Sequence, residues 1–351
     1  MPQVHQRASR GQPTEERSRA PRGPARAAIG PRAPRASGPR RYLLIRIAQA
    51  VFVVWAAFTV TFLILFALPG DAVTQTLAVS DYIPPEQLEA LRNYYGLDRP
   101  LHEQYLHQLW GLAHGDLGMS ISTGMPVAQS LRIAFPQTLA LASLALAFSL
   151  IAGPAIAMIA TLTRRPLVRR LACSLPAIGT SVPGFWIGLT LLGAFSFALP
   201  IFPAFGNDGL ASLVLPAVTL SVYTSAVIAQ LLLRGLDHEW QAAYVETARA
   251  KGLGPYAIQL RHVLRNAVLP VATSVAMTIG NLLAGTVIAE TIFARNGIGR
   301  LTQVAVTNQD MAVVQGVVVV SAVVYATVNL AVDLLYPVLD PRIRMRWRAA
   351  T

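Results

Sequence analysis

The sequence predicts an all-α membrane protein built on six transmembrane helices. Hydrophobic residues make up 54% of its 351 residues and charged residues only 13%, about half the ~25% charged share of a soluble domain. Six segments are long and apolar enough to cross a bilayer, which takes about 20 residues at 1.5 Å rise each. The basic residues cluster on alternate connections between those segments.

Residues 1–41 are rich in Pro, Arg, Ala and Gly and show no apolar period. Such a segment cannot bury enough surface to offset its ordering entropy, so a disordered basic arm is expected. It also lacks the apolar centre of a signal peptide. A membrane domain is expected over 42–344 and a short tail over 345–351. The spans are read at about 43–68, 138–162, 177–199 (with Pro183 inside), 213–233, 268–289 and 312–339. Proline is tolerated within a span because neighbouring groups re-satisfy the freed carbonyl. The connection 69–137 is long and acidic, with helix-like stretches such as Pro85 to Tyr95.

Of the 29 basic residues, 24 fall on one side of this six-span arrangement and five on the other. The positive-inside rule then places both termini in the cytoplasm. The net charge of +12 does not indicate nucleic acid, because no aromatic residue interleaves with the basic run before Tyr42. A membrane-surface or solubilising role suits it better. The one cysteine, Cys173, can form no internal disulfide, and a small buried thiol is its expected state. The histidines have no metal-ligand spacing, and no catalytic Ser/His/Asp constellation emerges.

The connection at about 240–265 carries most information. Good helix formers run up to Lys251, Gly252 and Gly254-Pro255 break the helix, and a second short helix is expected from Tyr256 toward His262. Helix, turn and helix make a compact knob suited to a groove on a soluble partner. An ordinary amphipathic connection between two spans is the alternative.

Glu246-Thr-Ala-x-x-x-Gly252 resembles the Glu-Ala-Ala-x-x-x-Gly loop of ATP-binding-cassette import permeases, with Thr247 in place of the first Ala. Arg261-His262 and the run from Asn266 to Pro270 are similar to the dipeptide, oligopeptide and nickel branch. So are Leu68-Pro-Gly-Asp71, Tyr95-Gly-Leu-Asp-Arg-Pro-Leu101, Gly115-Asp-Leu-Gly118 and Pro183-Gly-Phe-Trp186. Glu290-Thr-Ile-Phe293 with Asn296-Gly-Ile-Gly299, where Asn296 departs from the usual Pro, and Asp340-Pro-Arg342 continue the likeness to about residue 344.

The resemblance implies a type I importer permease fold with a helical extracytoplasmic loop, in the bacterial inner membrane. It implies half of a translocation pathway for peptides or related small solutes. It also implies a homologous permease partner, two ATPase subunits that bind ATP and Mg, and an extracytoplasmic solute-binding protein. Tyr244, Glu246, Ala248, Ala250, Gly252 and Leu253 are then the expected ATPase-coupling residues. No cofactor is expected in this chain itself. A phosphate-binding loop needs Gly-Lys-Ser/Thr, and the only lysine, Lys251, is followed by Gly252.

Asn281 and Glu290 are polar groups in an apolar run and stand as candidate pathway-lining residues, since intramembrane polar groups are costly. Two readings of each remain open. Asn281 bonds a neighbouring helix or lines the pathway. Glu290 caps or pairs, with Arg295 or Arg300 as its partner, or contacts substrate. Asp333 is expected to pair with the tail arginines. An ion- or proton-coupled secondary transporter is the alternative function; it calls for central intramembrane acids and internal repeats, and neither is evident.

Overall fold

The computed structural model describes residues 39–67 and 99–339. The arm, the 68–98 part of the long connection (with Asp71 and the expected 85–95 helix) and the carboxyl-terminal tail lie outside the described residues.

The first helix, α1 (Pro39–Ala67), packs along the last, α11 (Met311–Leu339). A surface helix, α2 (Leu101–Ala113), braces α1. The Tyr105 ring sits 5.7 Å from Phe58 and 5.2 Å from Phe62, and its hydroxyl lies 2.9 Å from Thr59 Oγ1. Aromatic pairs at such distances add to burial.

The centre of the molecule is α3 (Val127–Leu162) against α6 (Ala211–Trp240). Lipid gives helices no hydrophobic reason to associate, so close backbone approach through small residues must hold them. Here Gly153 lies so near Ile228 that an added Cβ would come within 2.8 Å of that side chain. Ser149 is buried at the same contact and donates to the carbonyl of Ala145 at 2.7 Å. The outward residues of these helices, for example Ile151 and Ile159, are exposed and apolar, as lipid-facing positions should be.

α3 begins eleven residues before the expected span, directly after Pro126. The expected third span is not one helix. It is α4 (Pro166–Ser181) followed by α5 (Gly184–Leu192, continuing to Ala198 as a wider π turn), bent by 103° at the break. The residue before proline is pushed out of the helical region, and Val182, at φ −84° and ψ 128°, sits before Pro183. Cys173 is exposed on α4, not buried as expected.

α7 (Ala243–Ala250) and α8 (Pro255–Ile258) follow α6. The expected second short helix is instead the head of a longer one, for α8 runs through a π turn, Gln259–Val263, directly into α9 (Leu264–Ile292). α10 (Ile298–Thr307) then leads to α11. Four described helices pass as membrane spans by length and apolarity, and the bent pair makes a fifth. α9, with Arg265 and Glu290 as its only charged residues, is 29 residues long, enough to reach about 43 Å.

Candidate coupling knob and the polar knot at the opposite end

At one end of the bundle, α7 stands on a buried apolar base. Val245 and Ala248 of α7 join Ile228, Leu232 and Leu236 of α6, Ile258 of α8 and Ala157 of α3 in one core cluster. The helix ends in a Schellman motif. The Leu253 N–H donates to the Ala248 carbonyl at 3.2 Å and the Gly252 N–H to that of Arg249 at 2.9 Å. That geometry needs a left-handed residue, supplied by Gly252 at φ +80°. A Cβ on Gly252 would meet nothing within 4 Å, so this chain requires glycine there for its backbone conformation alone. Pro255 opens α8, where its missing N–H is no loss.

The expected coupling residues divide by direction. Glu246, Ala250 and Gly252 are exposed. Ala248 is buried at 6% exposure, so it anchors the knob and presents nothing outward. Leu253 packs back against the same cluster, the apolar contact that accompanies a Schellman turn. Tyr244 is half-buried and its hydroxyl donates to Glu239 Oε2 at 2.6 Å, while Asn266 Nδ2 donates to the same oxygen at 3.3 Å. Burial, then the bond to Glu239, pushes the Tyr244 phenol above its ordinary range, so it stays a neutral donor.

Sequence reasoning missed the knob's fastening. Gln259 is fully buried. Its carbonyl accepts from Trp240 Nε1 at 3.1 Å, and its Nε2 donates to Thr161 Oγ1 at 2.6 Å. The Arg249 guanidinium lies 5.5 Å over the Trp240 ring. Tyr256 and Leu260, also missed, are 58% and 56% exposed on the same end. A large apolar residue standing exposed just after a helix break was the available signal.

At the opposite end, Glu290 is wholly buried within this chain, which favours the capping reading of it over contact with a pathway. Its carboxylate accepts from Thr138 Oγ1 at 2.7 Å, from the Gly299 N–H at 2.7 Å and from the Arg300 N–H at 3.2 Å. It caps α10, and the groups that meet it are two backbone N–H donors and the Thr138 hydroxyl, with Arg300 contributing its backbone and not its guanidinium. Arg295 is buried as well and donates through NH1 to the Gly206 carbonyl at 3.0 Å and to Ser212 Oγ at 2.9 Å. The Asn296-Gly-Ile-Gly299 pattern follows from this packing. A Cβ on Gly297 would overlap the Glu290 carboxylate, and one on Gly299 would come within 2.5 Å of Val287 Cα. Nearby, Ser122 Oγ donates to buried Asp310 at 2.8 Å, tying the segment after α2 to the start of α11.

Asn281 is exposed on α9 among the described residues. The Asp333 side chain lies outside the described residues.

Comparison with known proteins agrees with this architecture. Residues 145–345 match the family described as binding-protein-dependent transport system inner membrane component, and 40–142 match its amino-terminal companion. The chain is 34% identical over 310 residues to a putative peptide transport system permease of Brucella abortus, covering 86% of this chain and 98% of that one. It is 33% identical over 335 residues to the dipeptide transport system permease DppB of Escherichia coli K12, covering 87% and 98%. Against the glutathione transport system permease GsiC of Pectobacterium atrosepticum it is 32% identical over 305 residues, covering 87% and 99%. A chain of the inward-facing MetNI methionine transporter shares the fold, with a TM-score of 0.53 at 18% identity over 60% of this chain and 97% of that one.

Proposed function

The chain belongs to the family of binding-protein-dependent transport system inner membrane components, and on that premise we propose that it forms half of an ATP-driven import pathway for short peptides or related small solutes. It is a multi-pass permease of an importer whose ATPase is a separate subunit, which replaces the ion-coupled alternative. The substrate reading draws on relatives that carry peptides, dipeptides and glutathione by name.

The observation that carries the mechanism is the knob. Its apolar side is fixed into the core while Glu246, Ala250, Gly252, Tyr256 and Leu260 stand outward. A rigid projection with a free face transmits a push, whereas a flexible loop would absorb it. In this reading the ATPase subunit, holding ATP and Mg, closes on that face and the movement passes into α6 and α9. The partner permease is a homologue that covers the open faces, among them the one bearing Asn281. A solute-binding protein delivers from outside, and the 24-to-five division of basic residues supports cytoplasmic termini and a cytoplasmic knob.

The test is reconstitution of the assembled transporter in proteoliposomes, with uptake of a labelled dipeptide, glutathione and a nickel complex measured with and without the binding protein. ATP-dependent uptake of one of these, abolished in a knob variant that no longer holds its ATPase, supports the reading. Full uptake by a variant that has lost the ATPase would end it.

A further inference from the structure

α4 divides into three sectors around its axis. Leu167, Leu171, Leu175 and Ile178 fall within an arc of about 80° at 3.6 residues per turn, and all are exposed, from 49% to 67%. Beside them Ala172, Pro176 and Gly179 form a narrow buried strip that faces α6. The remaining arc carries Arg169, Arg170, Cys173, Ser174, Thr180 and Ser181. Arg164 and Arg165 precede the helix, and all four arginines are exposed. From Asp116 to Asp208 the chain contains no acidic residue between them, so no acid close in sequence neutralises this cluster.

Position and direction agree with the sectors. The 103° bend turns α4 nearly crosswise to α5. Its buried strip crosses α6 where Gln230 Nε2 donates to the Pro176 carbonyl at 3.1 Å and where Gly179 rests on Ala226. Those two positions lie four and eight residues before Arg234, about 6–12 Å along the helix from the first charge on the side where α6 leads into the knob. A helix lying in a membrane surface seats its apolar face about 5–10 Å into the headgroup boundary. Arg169 and Arg170 lie within the first five residues of α4, so that end of the helix rests at headgroup level, because such groups are not tolerated in lipid without partners.

We propose that α4 is a surface-lying helix that binds anionic phospholipid at the leaflet on the knob side. Leu167, Leu171, Leu175 and Ile178 enter the acyl boundary, and Arg164, Arg165, Arg169 and Arg170 hold phosphate headgroups. α5, with the apolar stretch after it, then crosses the bilayer alone. Because α4 packs on α6, whose end carries the knob, lipid charge sets the seat on which the coupling region rests.

The test uses the assembled transporter in nanodiscs of phosphatidylcholine, with or without phosphatidylglycerol. An environment-sensitive dye is placed on native Cys173, and on Leu171→Cys in a Cys173→Ser chain. Shallow spin-labelled lipid should quench the Leu171 site several-fold more than aqueous iodide does, and iodide should prevail at Cys173. Changing all four arginines to Gln should lower the phosphatidylglycerol retained in native mass spectrometry by at least half. Three results would overturn the proposal: quenching of the Leu171 site by deep spin-labelled lipid, shielding of that site by cross-linking to the second permease, or unchanged phosphatidylglycerol retention. None of these measurements depends on transport, so they separate this idea from the substrate reading. The Cys173 measurement needs no substitution and stands even where a variant assembles poorly.

Discussion

Gln259 Nε2 donates to Thr161 Oγ1 at 2.6 Å, joining positions 98 residues apart. Through this bond the turn beneath the knob is fixed to the end of α3, and the Trp240 indole closes the arrangement from α6. Three helices therefore meet at one buried amide. Trp240 and Met158, which meet this amide, pack against the cluster that also holds Val245 and Ala248.

Gln259→Leu keeps the volume and removes both bonds, leaving the half-buried Trp240 N–H without its acceptor while the Thr161 hydroxyl keeps its bond to the Ala157 carbonyl. Losing one such bond costs about 1 kcal/mol. A lower Tm in detergent and less ATPase retained on purification are expected. An unchanged Tm would show that the amide only fills space.

Gly252→Val places a β-branched residue at φ +80° and should cost about 1–2 kcal/mol. Gly252→Asn adopts that region more readily and has open space within this chain. Val should weaken ATPase retention and lower the Tm. Asn should leave the Tm near wild type and weaken retention only if a partner's backbone approaches there. Comparing the two by co-purification and thermal unfolding separates strain from docking. If both retain ATPase and transport normally, the knob is a connector.

Glu290→Ala removes the acceptor shared by Thr138, Gly299 and Arg300. Hydrogen bonds to charged groups are worth about 1.5–3 kcal/mol each, so a loss of several kcal/mol is expected. Glu290→Gln can keep its oxygen on the Gly299 and Arg300 N–H groups and turn its amide N–H to the Thr138 hydroxyl, so it should cost much less than Ala. Thermal unfolding together with competition between substrates decides the matter. A stable variant with altered substrate preference would return Glu290 to the pathway.

Asn281→Leu should leave stability within about 0.5 kcal/mol, as surface changes do, while changing the uptake rate several-fold. Asn281→Cys should cross-link to the partner permease or be protected by bound solute. An unfolded variant, or one with unaltered uptake and no cross-link, would count against a role for this face.

The sequence made the span positions legible because long apolar runs are strong signals, and α6 and α11 lie close to where they were expected. It left the third span's bend hidden, since apolar content says nothing about direction and only Val182-Pro183 marks the break. It also grouped Asn281 with Glu290 as alike. Nine residues apart, they differ by about half a turn around a 3.6-residue helix, so they point to opposite sides of α9. One is exposed and the other wholly buried. The Glu290 cap was unreadable for a different reason: its donors are backbone groups, brought close by the absence of side chains at Gly297 and Gly299. The expected coupling residues were legible as one short helix and turn but not as individual directions. Ala248 and Leu253 face inward because a helix this short, seated on a core, must spend one side on its own attachment.

The π turn Gln259–Val263 makes α8 and α9 one uninterrupted rod. A π turn accommodates one residue more than a regular helix would, and one residue corresponds to about 100° of rotation at 3.6 per turn. The insertion thus acts as a timing mark: it fixes the azimuth at which Tyr256 and Leu260 emerge relative to Asn281 and Glu290 farther along the shaft. Removing a single residue there would leave composition and length almost untouched, yet it would swing one end of the shaft by more than a quarter turn against the other.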